Sequence, residues 1–177
     1  ATGVFQLAEA VDRGCRLYAK YLLSTGYPPD GIPANGKPLD SALYWCPELV
    51  QTLLDAKATV DHRHVDSALR AHRHPDNSPG DKSTTASALH RVLEHALPSQ
   101  TGIELAASAD MLDLIRRCVA KGMRIDSATL TLAQSAAMVD LLLSANCDAN
   151  ASSSEGVPVF FGCCYEGSLE SVKQMVK

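Results

Sequence analysis

Four imidazoles fall within 13 residues at His62, His64, His72 and His74, the densest group of potential metal ligands in the chain. Imidazole nitrogens and thiolates are the usual zinc ligands, so the segment invites a metal reading. No Cys, Asp or Glu stands at a spacing that completes a known zinc pattern. The interleaved Arg63 and Arg73 would also oppose a dication. The segment reads instead as a solvated helix flanked by loops, and neither a metal nor a cofactor is expected.

Arg116-Arg117-Cys118 suggests an activated thiol, because neighbouring cations lower a cysteine pKa. Yet Cys118 fills the apolar slot that Leu22 and Leu53 hold in similar segments, which predicts a buried, inert thiol. Cys163 and Cys164 are adjacent, and on a helix they cannot both face the core, so one is expected to be partly exposed. The six cysteines (15, 46, 118, 147, 163 and 164) show no C-x-x-C or disulfide-framework spacing. That usage suits a reducing, intracellular setting, cytoplasmic or nuclear. No nucleophile elbow, P-loop, H-E-x-x-H or dinucleotide-binding glycine string occurs, so no catalytic residue is expected and the chain does not read as an enzyme. Tyr44-Trp45, with the chain's single Trp, is the strongest binding candidate. Aromatics with a polar tip are common interface anchors, and also common wedges between helices.

The elements that carry these residues are helical. The hydrophobic fraction is 46% but only 5% is aromatic, and Ala and Leu make up the difference. That mix favours close-packed helices over aromatic-rich strands. The net charge of −4 gives no footprint for nucleic acid or an anionic membrane surface. No apolar run approaches the length of a membrane span. The chain begins at Ala1 rather than Met, so a targeting segment could precede it.

One phrase recurs four times: Leu22-Leu23-x-x-Gly26, Leu53-Leu54-x-x-Lys57, Cys118-Val119-x-x-Gly122 and Leu142-Leu143-x-x-Asn146. Each is a pair of core-type residues followed by a residue placed to stop a helix. The first two stops lie 31 residues apart, the next gap leaves room for two units, and the last is 24. A period near this value marks a solenoid whose units bury their apolar faces on their neighbours. Around these stops the spacing predicts paired short helices. Gly14 separates a first pair, in which Leu17, Ala19, Tyr21, Leu22 and Leu23 form the apolar face of the second helix. Pro38 opens the next pair, with Leu39 to Leu43 and then Glu48 to Ala56. Val65 to Ala71 and a helix ending at Pro98 flank a loop insertion at 75–81. Leu105 to Ala109 and Met111 to Val119 make a fourth pair. Leu130 to Ala133 and Met138 to Leu143 make a fifth. Pro158 begins a sixth, with Gly167 between its helices.

These residues resemble ankyrin repeats over nearly the whole chain. The family phrase runs T-P-L-H-x-A-A-x-x-G, then L-L-x-x-G-A, then D-V-N before a hairpin. Ala10, Gly14, Leu22, Leu23 and Gly26 fit it, as do Pro38-Leu39, Ala42, Leu53-Leu54 and Asp61. Asp148-Ala-Asn150 and Glu166-Gly-Ser-Leu-Glu170 fit it near the end. The third unit departs, lacking Pro-Leu and a stop Gly, and units four and five lack the hairpin glycine and the opening Thr-Pro-Leu. A TPR- or HEAT-like solenoid is the alternative fold; the Asp/Asn tails and the Pro/Gly loops disfavour it.

The resemblance implies an all-α, ankyrin-type solenoid of about six helix pairs, with β structure confined to hairpin tips. Its units would span roughly 1–32, 33–61, 62–98, 99–124, 125–148 and 149–177 of a single repeat domain. The chain is expected to be a monomeric piece of a longer array. It also implies a non-enzymatic scaffold that meets a protein partner through hairpin tips and the concave helix face, at Asp30, Ile32, Asn35, Tyr44, Trp45, Ser152 and Glu155. The alternative function is a regulatory or targeting region of a larger enzyme. Neither nucleic acid nor membrane insertion is expected.

Overall fold

The computed structural model describes residues 6–31, 37–73, 82–152, 156–166, 172–174 and 176. The expected insertion at 75–81 and the inter-helix Gly167 lie outside these. The chain divides into two compact units, Ala1–Leu97 and Pro98–Lys177. The fold is all-α: no strand is present among the described residues, where the β structure is an isolated antiparallel bridge between Ser152 and Pro158. No helix among them is long and apolar enough to cross a membrane.

Unit one holds α1 (Leu7–Asp12), α2 (Arg16–Ser24), α3 (Pro38–Trp45), α4 (Val50–Asp55), α5 (His62–Arg73) and α6 (Lys82–His95). A 3-10 turn at Pro47–Leu49 leads into α4, because Pro47 fixes its own φ and supplies no N–H. Helix α1 packs on α3 and α3 on α5, while each also packs on the helix that follows it. Ala10, Ala42 and Ala68, all nearly inaccessible, allow those helices to approach closely between Leu7, Leu39, Leu43 and Val65. Unit two holds α7 (Gln100–Ser108), α8 (Leu112–Ala120), α9 (Ala136–Ser144) and α10 (Val159–Glu166), with a 3-10 segment at Ser127–Leu132. That segment packs on α7, α9 and α10, and its Leu130 is fully buried. Leu130 to Ala133 was expected to be a short α-helix. Ser127–Leu132 forms 3-10 turns because it has only six residues, two of them β-branched Thr, before the chain must extend at Ala133 toward the cap of α9. Gly162 of α10 approaches it closely: a β-carbon there would lie 2.7 Å from Thr131 Cγ2.

The recurring phrase has a hydrogen-bond explanation. At Gly26, Lys57, Gly122 and Asn146, the four stops expected from the sequence, φ is positive, between 65° and 84°. In each case the stop N–H and the next N–H donate to the carbonyls of the preceding apolar pair. Gly26 and Tyr27 bond to Leu23 and Leu22, Lys57 and Ala58 to Leu54 and Leu53, Gly122 and Met123 to Val119 and Cys118, and Asn146 and Cys147 to Leu143 and Leu142. Such paired bonds satisfy carbonyls that a helix end would otherwise leave without partners. Two further copies separate the helices of a pair. Gly14 and Cys15 bond to Val11 and Ala10, and Asp110 and Met111 to Ala107 and Ala106. All twelve distances lie between 2.8 and 3.1 Å.

Lys57 is the costliest of the stops, since a lysine at φ 70° carries a β-carbon into the left-handed region. Lys57→Gly is expected to stabilise unit one by about 0.5–1 kcal/mol, the relief of that strain less the extra flexibility of glycine in the unfolded chain. The check is the urea midpoint followed by the fluorescence of Trp45. An unchanged or lowered midpoint would refute the strain at this position.

Candidate functional site

Trp45 ends α3 with its side chain 51% exposed. Tyr44 beside it is half-buried. About half of the Trp45 surface is therefore open to solvent. Asp30 is held internally: its carboxylate accepts from Thr59 N at 2.7 Å and from Thr59 Oγ1 at 2.9 Å. That links the tail after α2 to the tail after α4. A comparable link in unit two runs from Asp148 N to Ser127 Oγ at 2.9 Å. Ser152 is exposed at the isolated bridge. Ile32, Asn35 and Glu155 lie outside the described residues.

The histidine segment differs from the expected solvated helix. His62 is exposed, but His64 is buried to 1% exposure and His72 is half-buried; His74 is outside the described residues. The reason is the residue before the helix. Asp61 Oδ1 accepts from the N–H of Arg63 at 2.9 Å and of His64 at 3.4 Å, which caps α5. The Asp61 N–H donates back to His64 Nδ1 at 3.0 Å, closing a reciprocal cap with His at the position usually taken by Glu or Gln. His64 Nε2 faces Asp40 Oδ1 of α3 at 3.8 Å, and Lys37 Nζ binds Asp61 Oδ2 at 3.0 Å. The imidazole thus lies between successive first helices, with His64 Nε2 and Asp40 Oδ1 both buried and making no hydrogen bond among the described residues. Among the described residues no group of three or more His, Cys, Asp or Glu could hold a metal ion.

Burial opposes ionisation of Asp61, but the Lys37 bond and charge and the Arg63 N–H hold its pKa at about 2. A folded pKa below the ordinary value means that this carboxylate stabilises the fold above about pH 4, and that the contribution fades as pH falls from there toward 2. Its side chain is 38% exposed, so solvent screening keeps the effect small. Asp61→Asn, which keeps a capping oxygen, is expected to flatten the acid limb of unit-one stability between about pH 4 and 2, by a small loss at pH 7 that disappears near pH 2. Parallel limbs for both proteins in a pH series of urea midpoints would exclude this role.

Cys118 is buried, its thiol pushed up to about 11 by burial against the opposing charge of Arg117. Cys163 faces the core and Cys164 is exposed. Leu17 and Tyr21 do not belong to the buried face of α2 as their apolar character suggested: they are 86% and 61% exposed, and only Ala19 and Leu22 of that helix are buried. Residues 19 and 22 share one side of a helix, and 17 and 21 the other, a spacing legible in the sequence. The aromatics of α10 are also outside the core, with Phe161 62% and Tyr165 84% exposed. Sequence reasoning missed that exposure.

In unit two, a cleft of about 690 Å³ opens at the C-terminal ends of α8 and α9, lined by Val119, Gly122, Arg124, Asp126 and Asn146 among others. Among the described residues Arg124 and Asp126 are its only ionisable lining groups, and Asp126 is engaged as the cap that accepts from Ala128 N at 2.9 Å. The arrangement suits contact more than proton transfer. Comparison with models of protein families, with curated proteins and with solved structures finds no match.

Proposed function

We propose that this chain is an ankyrin-type repeat scaffold that binds a protein partner, in an intracellular compartment, without catalysing a reaction. The observation that carries the reading is the repeated left-handed stop with its paired bonds, at 12-residue intervals from Gly14 to Gly26 and from Asp110 to Gly122. Twelve residues is the distance between the inter-helix glycine and the helix-ending glycine in the first unit, as the family phrase has them. The order of packing within unit one, first helix on first helix, fits the same plan. His64 stands three residues after its cap, as the His of T-P-L-H does after its Thr.

A binding role draws support from exposed apolar side chains, which monomeric proteins rarely group without use. Trp45 is the anchor we assign, and Phe161 and Tyr165 of α10 offer a second contact near the end of the chain. Asp30 is set aside as a contact, its carboxylate being committed to Thr59. The test is capture on the immobilised 177-residue chain, identification by mass spectrometry, and direct titration of each purified candidate. A saturable one-to-one complex is expected. Candidates that bind only without saturation would overturn the scaffold reading.

A further inference from the structure

Cys15 and Cys46 occupy successive inter-helix turns of unit one, the first between α1 and α2 and the second between α3 and the turn into α4. A β-carbon on Gly14 would lie 3.8 Å from Cys46 Sγ, so that sulfur rests against the backbone just before Cys15. The charge of Arg16, just after Cys15, acts on the same thiol, and its guanidinium is held by Glu48 at 2.9 Å. The backbone at residue 14 thus lies against the Cys46 thiol and the Arg16 charge acts on it, with Cys15 between the two. Cys15 is exposed and Cys46 buried. The Cys15 thiol's own contact, 3.9 Å to Arg13 O, is weak and leaves the side chain able to turn.

The other four thiols are differently placed. Cys118, Cys147 and Cys163 are buried, and Cys164 is exposed beside Cys163, which faces the core from the next position of the same helix. Adjacent helical residues point in different directions, so that pair does not meet.

We propose that Cys15 and Cys46 are a redox pair that a hydroperoxide converts into a disulfide joining the first two inter-helix turns. Cys15 is the thiol a peroxide can reach. Its thiolate attacks one oxygen of hydrogen peroxide, the O–O bond breaks, a sulfenic acid forms, and the departing hydroxide takes up the proton the thiol had released to give one water. Cys46 then attacks the Cys15 sulfur, the S–O bond breaks, and hydroxide leaves with the Cys46 proton as a second water. Two thiols lose two hydrogens and one peroxide becomes two waters. Burial raises the pKa of Cys46, and the nearby Arg16 charge offsets part of that rise. The link fixes the turn that presents Trp45. An effect on partner binding rests on the function proposed above; the disulfide itself does not.

The experiment treats the full chain with hydrogen peroxide, folded and in urea, blocks remaining thiols and maps the peptides without reduction. A Cys15–Cys46 link is expected as the main disulfide, formed faster in the folded chain and reversed by dithiothreitol. It is expected to vanish in Cys15→Ser and in Cys46→Ser and to persist in Cys164→Ser. Oxidation that stops at Cys15 with the Cys46 thiol intact, equal rates in urea, or a main link through Cys164 would each overturn the pair. If the link forms but partner affinity is unchanged, the redox pair stands and only its connection to Trp45 falls.

Discussion

Trp45→Ala is expected to weaken a protein partner's binding about thirtyfold, or roughly 2 kcal/mol, while the melting temperature of unit one moves by no more than about 2 °C. The two halves of that expectation come from one observation. With half of its surface exposed at the end of α3, the indole has contact area to lose on binding and modest packing to lose on truncation. Interface anchors of this size contribute through desolvation in a partner's pocket, which is why truncating one costs more than its share of area. Melting is followed by circular dichroism, since the variant has no tryptophan to report. A large fall in melting temperature with unchanged affinity of the folded fraction would make Trp45 a packing residue. A Tyr21→Ala control on the exposed side of α2 should leave affinity within about twofold if binding is centred on α3.

Trp45 was legible as a candidate because a lone Trp at a helix end stands out in an aromatic-poor chain. The helix stops were legible for a stronger reason: the left-handed conformation selects Gly and Asn, and the two carbonyls it satisfies belong to the pair just before it. Where residue type does not report the conformation, the signal weakens. Asp110 holds φ 55° between α7 and α8, yet an aspartate reads equally as a cap or a turn, and the copy Ala106-Ala107-x-x-Asp110 went unrecognised. Leu17 and Tyr21 show a different failure. Composition placed them in the core, whereas the helical period puts them opposite Ala19 and Leu22. At the proposed interface, Asp30 looked like a loop carboxylate open to a partner. Its bonds to Thr59, 29 positions away, depend on how successive tails lie together, which no local pattern encodes.

His64 and His62 share one dipeptide pattern, each next to Arg63, and the sequence reading treated them alike. Their positions relative to Asp61 separate them: His62 follows the cap directly and faces solvent, whereas His64 falls at the third helical position, where its ring can bond back to the cap. His64→Ala is therefore expected to destabilise unit one by about 3 kcal/mol, because it opens a cavity and leaves the buried side of the Asp61 N–H without its acceptor. For a unit of about 100 residues that lowers the melting temperature by more than about 10 °C. His62→Ala, at an exposed position without such a bond, should change stability by less than about 0.5 kcal/mol. His64→Gln separates the two parts of the loss, since an amide oxygen can still accept from Asp61 while the ring volume is gone; it should recover about half. The three variants are compared by urea unfolding at pH 7, followed by Trp45 fluorescence. Equal, small losses for His62→Ala and His64→Ala would mean that α5 is solvated on both sides and that the Asp61–His64 cap contributes nothing to the packing of α3 on α5.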